Sequence, residues 1–150
     1  MSEDAPRRIR RAARVLVVDP EERLLLFRFT IDPSPPFWAL PGGECDAAED
    51  YLEAARRELF EETGIVAEPH PLDYSRQDEF IVLLGEPVTS IEHFFHVRTQ
   101  VTRIDTSRHT ELEQTIMQEH RWFTLAEIAT WHETIYPREL TVLMDRLRNP

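Results

Sequence analysis

The chain has 150 residues, of which 41% are hydrophobic and 30% charged, a balance that suits one globular domain and lies far from the composition of disordered chains. A formal net charge of −11 excludes a broad nucleic-acid or anionic-membrane surface, which needs clustered Lys and Arg to displace counterions. Cys45 is the single cysteine and has no internal disulfide partner, and no apolar run is long enough to span a bilayer, so a soluble cytoplasmic protein is expected.

The N-terminal stretch MSEDAPRRIRRAARV is the one basic segment. Its Glu3 and Asp4 speak against a targeting presequence, and residues 1–12 are expected to form a flexible, arginine-rich arm. Two β-rich runs, Arg14 to Asp19 and Arg23 to Phe29, flank the turn signal DPEE and predict a hairpin. Phe37 to Leu40 predicts a short strand stopped by Pro41-Gly42-Gly43. A helix over Ala47 to Thr63 follows, with Asp46 and Glu49 as its capping box and Gly64 as its left-handed stop.

Further strands are predicted at Glu79 to Leu84 and His93 to Val97. The polar stretch Thr102 to Glu113 comes next, and His120 to Phe123 reads as the last strand. Thr124 with Glu127 caps a second helix, and Tyr136 to Leu147 predicts a third with Pro137 in its first turn. Strands and helices mixed without a regular βαβ alternation indicate an α+β class, a mixed sheet packed with helices.

The chemistry concentrates in ARRELFEETGI, Ala55 to Ile65. At 3.6 residues per turn, Glu58, Glu61 and Glu62 lie within one turn of each other, with Glu58 and Glu62 about 6 Å apart along the axis. Leu52, Ala55 and Leu59 form a separate apolar stripe, so the helix can bury one face and aim its carboxylates into a cleft. Converging anions repel, and a divalent cation removes both the repulsion and the desolvation penalty. Oxygen-only ligands specify a hard ion, Mg²⁺ or Mn²⁺. The competing reading is a solvated acidic face with Arg56 and Arg57 as partners. The Gly42-Gly43 turn just upstream favours the metal, because its backbone can approach an ion or a phosphate closely.

Gly43, Glu49 and the run Arg57-Glu58-Leu59-Phe60-Glu61-Glu62-Thr63-Gly64-Ile65 resemble the signature of the Nudix hydrolases at every fixed position. The resemblance implies a mixed β-sheet sandwiched between α-helices and hydrolysis of a pyrophosphate bond in a nucleoside diphosphate derivative, such as a (d)NTP or a nucleoside diphosphate sugar. It implies Glu58 and Glu62 as metal ligands, the Gly42 carbonyl as another, Glu61 as a further ligand or the base, Arg57 as the residue orienting the glutamates, and Glu49 as a brace.

Relatives often add a loop glutamate ahead of the last strand; Glu111, Glu113 and Glu119 all fit, and Glu119 is preferred. Arg28 resembles a basic residue near substrate phosphates, Gly43 offers its backbone to them, and Tyr136 and Arg138 lie where relatives build the nucleoside wall. Phe37 and Trp38 flank the box and can stack on a base. The expected partner is a small nucleotide, with no membrane or nucleic acid, and a homodimer is compatible with the sequence. The alternative is a catalytically silent domain of the same fold that senses a ligand or binds a partner.

Overall fold

The structure is a computed structural model that describes residues 7–81 and 86–148. An eight-stranded mixed sheet runs in the order β5-β6-β1-β2-β3-β8, with β4 paired to β1 and β7 paired to β2. The strands are β1 (Arg8–Val18), β2 (Leu24–Phe29), β3 (Phe37–Ala39), β4 (Gly42–Glu44), β5 (His70–Ile81), β6 (Pro87–Arg98), β7 (Glu119–Phe123) and β8 (Thr134–Tyr136). The helices are α1 (Tyr51–Thr63), α2 (Glu111–Ile116), α3 (Leu125–Thr130) and α4 (Leu140–Arg148).

β1 and β2 are buried on both faces, which explains why their cores read as unbroken apolar runs. Val15, Val17, Leu25 and Phe27 point to one side and pack with Ala54, Ala55 and Leu59 of α1. The alternate residues Leu16, Val18, Leu24 and Leu26 point to the other and pack with Leu140, Leu143 and Met144 of α4. Each fully buried leucine here contributes about 1.5–3 kcal/mol. The helices sandwich the sheet, as an α+β chain of this composition requires.

Several boundaries differ from the sequence expectation. α1 begins at Tyr51, because Asp50 and Glu53 form the reciprocal capping box. Asp46 and Glu49 form a preceding turn instead, in which the Glu49 carboxylate accepts from the Asp46 N–H at 2.8 Å. Residues 8–12 are not a flexible arm: Arg8 to Val18 pair residue for residue with Val88 to Arg98 in parallel. Residues 1–6 lie outside the described residues. The predicted hairpin partners meet at its closed end, Val18 with Leu24 and the Asp19 N–H bonded to the Arg23 carbonyl at 3.0 Å.

Gly42 to Glu44, expected as a turn, is a strand on β1. The strand predicted over Glu79 to Leu84 falls partly on residues 82–85, outside the described residues, while β5 itself begins at His70. Tyr136 belongs to β8, which pairs in parallel with β3, because a residue before proline is turned away from helical geometry. No described helix is long and apolar enough to cross a membrane.

Gly64 ends α1 at φ 77° and ψ 0°, its N–H bonded to the Phe60 carbonyl. A Cβ there would stand 2.9 Å from the Asp105 Cβ. Gly64→Ala is expected to lower the unfolding free energy by about 1–2 kcal/mol, the usual strain of a side chain in left-handed geometry. Urea denaturation reads this directly, and an unshifted midpoint would contradict it.

Candidate active site

β4 carries two glycines against the carboxylate helix. Gly42 has φ 144°, and a Cβ on it would stand 2.0 Å from the Ala13 carbonyl oxygen, so only glycine lets β4 lie this close to β1. Its N–H donates to Glu62 Oε1 at 3.0 Å. A Cβ on Gly43 would stand 2.9 Å from the Glu58 carboxylate. The diglycine is therefore the floor on which both carboxylates rest.

Glu58, Glu62 and Glu113 form an acidic cluster in which one carboxylate oxygen of each lies within 4.8 Å of the others. Glu58 is 8% and Glu62 3% exposed. Burial pushes the Glu62 carboxyl well above its ordinary range, and neighbouring Glu58 and then Glu113 add to the rise. Burial also raises Glu58, against the pull of Arg57. At an effective dielectric of about 20, each ionised pair at this separation repels by about 3 kcal/mol. Three oxygen donors held together at that cost fit a hard divalent cation.

Arg57 organises the flank of the cluster. Its guanidinium grips Glu49 with two bonds of 2.7 and 2.8 Å. It also reaches Glu58 at 2.9 Å and Glu61 at 3.2 Å, and donates to the Glu44 carbonyl at 3.1 Å. The bond to Glu49 is the main reason its pKa is raised. Glu61, with its side chain 45% exposed, stands outside the buried cluster.

Other sequence candidates are placed differently. Glu119 lies on β7 and pairs with Arg28 at 3.1 Å, and Glu111 is exposed at the start of α2. Of the three loop glutamates, Glu113 stands with Glu58 and Glu62, whereas the preferred Glu119 sits directly opposite Arg28 on the neighbouring strand β2.

Arg28 is also bound by two bonds to Glu133, at 3.0 and 2.8 Å. Together with the Trp38 indole, it lowers the Glu133 carboxyl to about 2. Arg28 thus has two carboxylate partners, Glu119 and Glu133. Arg138 lies over the Tyr136 ring, 5.7 Å from its centroid.

A cavity of about 760 Å³ is lined by Glu44 of β4 but by none of the three cluster carboxylates. Phe29, Phe37, Phe94 and Tyr136 form its aromatic wall, and Arg10, Arg14 and Glu92 are among its charged groups. Arg14 links the two regions. It bonds Glu92 at 2.9 Å and the Leu40 carbonyl at 3.4 Å, sits across from Gly42 in the β1–β4 pairing, and acts electrostatically on Glu62. Sequence reasoning missed Arg14, read only as the first residue of a predicted strand, and Glu133, which carries no local signal.

Comparison with known proteins follows the same lines. Over 43 residues the chain is 54% identical to an RNA pyrophosphohydrolase of Rhizobium meliloti, covering 29% of this chain and 26% of that protein. Over 53 residues it is 45% identical to the phosphatase NudJ of Escherichia coli K12, covering 35% and 34%. These matches span only a quarter to a third of the relatives' lengths.

Among solved structures, the MutT protein of Methanosarcina mazei Go1 superposes with a TM-score of 0.67 at 24% identity, covering 98% of this chain and 100% of that one. The dihydroneopterin triphosphate pyrophosphohydrolase of E. coli gives 0.67 at 17% identity, covering 91% and 92%. Both likenesses are of fold. The NUDIX domain model matches residues 8–144, and with nearly the whole chain inside that match, the protein belongs to the NUDIX family.

Proposed function

We propose that the chain is a Mg²⁺- or Mn²⁺-dependent hydrolase of the phosphoanhydride bond in a nucleoside diphosphate derivative. The observation that carries this reading is the trio Glu58, Glu62 and Glu113, with carboxylate oxygens within 4.8 Å of one another and the first two resting against Gly43 and Gly42. Relatives over part of the chain are named a pyrophosphohydrolase and a phosphatase, which supports the same class of reaction.

In this reading Glu58, Glu62 and Glu113 hold the ion, with the Gly42 carbonyl as a further ligand. A bound divalent ion neutralises charge on the phosphoanhydride and lowers the pKa of water. Arg57 keeps Glu58 and Glu61 turned toward the substrate, while Glu49 holds Arg57 in place. Glu61, more exposed than Glu58 and Glu62 and tethered through Arg57, is suited to take the proton from the attacking water. Gly43 offers backbone to the diphosphate.

The adjoining cavity has the volume of a small-molecule site, and its aromatic wall, Tyr136 included, suits a nucleoside. Arg138 extends that wall from outside the cavity. A silent sensor domain would have no need to retain this buried, repulsive trio together with a base on the same helix.

Glu61→Gln and Glu62→Gln are each expected to lower kcat by about 10²–10⁴-fold, the usual weight of a general base or a metal ligand. Phosphate release from a nucleotide panel with and without Mg²⁺ measures it. Rates near those of the unaltered protein in both variants would contradict the mechanism and favour the silent domain.

The raised carboxyl of Glu62 carries a stability signature in the metal-free protein. A folded state that keeps protons the unfolded chain releases gains stability below the ordinary carboxyl pKa of 4.5 and loses it as pH rises through the raised value. Glu62→Gln mimics the protonated form and can still accept from the Gly42 N–H. In EDTA it is expected to be more stable than the unaltered protein at pH 7, with the difference shrinking as pH falls toward 4.5. Denaturation at a series of pH values tests this; a destabilisation independent of pH would contradict it.

A further inference from the structure

His109 is 6% exposed and has no part in the site as described above. It lies one residue before Thr110, the N-cap of α2. Its ring packs against Phe27 with centroids 5.6 Å apart, and its Nε2 lies 2.9 Å from the backbone oxygen of Glu62. A carbonyl oxygen can only accept, so Nε2 carries the hydrogen and donates it.

That oxygen belongs to the last turn of α1, whose carbonyls have no partner within the helix. The next carbonyl, Thr63, accepts from the Asp105 N–H at 3.0 Å. Two bonds therefore dock the loop onto the end of the carboxylate helix.

The same loop leads directly into Glu113. The His109 carbonyl accepts from the Gln114 side chain at 3.2 Å. The Thr110 N–H donates to Glu113 Oε1 at 2.9 Å, and the Glu113 N–H donates back to Thr110 Oγ1 at 3.1 Å. A short chain of bonds runs from the Glu62 backbone through His109 and Thr110 to the Glu113 carboxylate.

We propose that His109 is a positioning residue, whose Nε2–H bond to the Glu62 carbonyl sets α2 against α1 and so brings Glu113 to Glu58 and Glu62. This rests on reading the trio as a metal site. Glu58 and Glu62 ride on one helix and keep their spacing without help. Glu113 comes from a separate element, and its position depends on the docking of the loop. Removing the donor strands a buried carbonyl, and the loop shifts to let water reach it. Glu113 moves with the loop while the other two carboxylates stay.

The test is calorimetric titration of Mn²⁺ into the metal-free full chain. His109→Phe keeps a ring against Phe27 but deletes the donor, and His109→Gln restores an N–H. His109→Phe is expected to weaken Mn²⁺ binding about tenfold, in the range typical of groups that orient metal ligands, and His109→Gln to stay within about threefold of the unaltered protein. In a Glu113→Gln background, His109→Phe is expected to add nothing, because it acts through the group already removed. If His109→Phe does not fold, His109→Asn, too short to reach Glu62, is compared with His109→Gln in its place.

Binding by His109→Phe equal to that of the unaltered protein would overturn the proposal. So would a full additional loss in the Glu113→Gln background, or a fall in metal-free melting temperature with unchanged affinity. If the unaltered protein binds no Mn²⁺, the metal reading falls and this role with it; if it binds and the variants bind equally well, only the positioning role falls.

Discussion

Mutual repulsion among Glu58, Glu62 and Glu113 is the constraint on which the rest of the structure depends. Three carboxylates within 4.8 Å, two of them nearly without solvent, repel by several kcal/mol when ionised, against a total stability of about 5–15 kcal/mol for a domain. A fold can hold them only by keeping some protonated, by supplying countercharge, or by binding a cation. Burial raises the Glu58 and Glu62 carboxyls, which favours the first, and Arg57 at the flank supplies the second. Arg57 shares its charge among Glu49, Glu58 and Glu61, so it is only partly available to the cluster. In the proposed function, a bound cation would complete the balance.

The scaffold around that constraint is built to leave it no slack. β1 is paired along its whole length to β6 and buried on both faces, which makes it the most firmly fixed element of the sheet. β4 lies against β1 at a distance only glycine permits, and the Gly42 N–H fixes Glu62 from below. α1 packs its alanines and Leu59 onto the same sheet. The carboxylates are thus referred to the core through short paths, while Glu113 reaches the cluster on a separate element that depends on loop docking. The aromatic cavity is lined by Leu40, Glu44 and Arg14, and Arg14 pairs across from Gly42.

The box was legible because each of its positions has a local chemical reason. The spacing of Glu58, Glu61 and Glu62 follows from helix geometry, Gly64 from its left-handed cap, and Gly42-Gly43 from close backbone approach. The sheet-and-helix class followed from the same patterns. Features decided by distant contacts were not legible. The choice of Glu113 over Glu119 depends on how the segment after β6 folds back on α1, and Arg28 is claimed by Glu133, far along the chain. β5 is a polar strand whose composition resembles a loop, and its partner β6 supplies the pairing. α1 begins late because two consecutive acidic pairs both spell a capping box: Asp46 and Glu49 close a turn, while Asp50 and Glu53 cap the helix.

The most direct measurement is a crystal structure of the protein with Mn²⁺ and a non-hydrolysable nucleoside diphosphate analogue, read by anomalous scattering. The account predicts an anomalous peak among the carboxylates of Glu58, Glu62 and Glu113, with Glu119 still paired to Arg28. An analogue bound with no ion at those three carboxylates, or an ion held through Glu119 instead of Glu113, would contradict it.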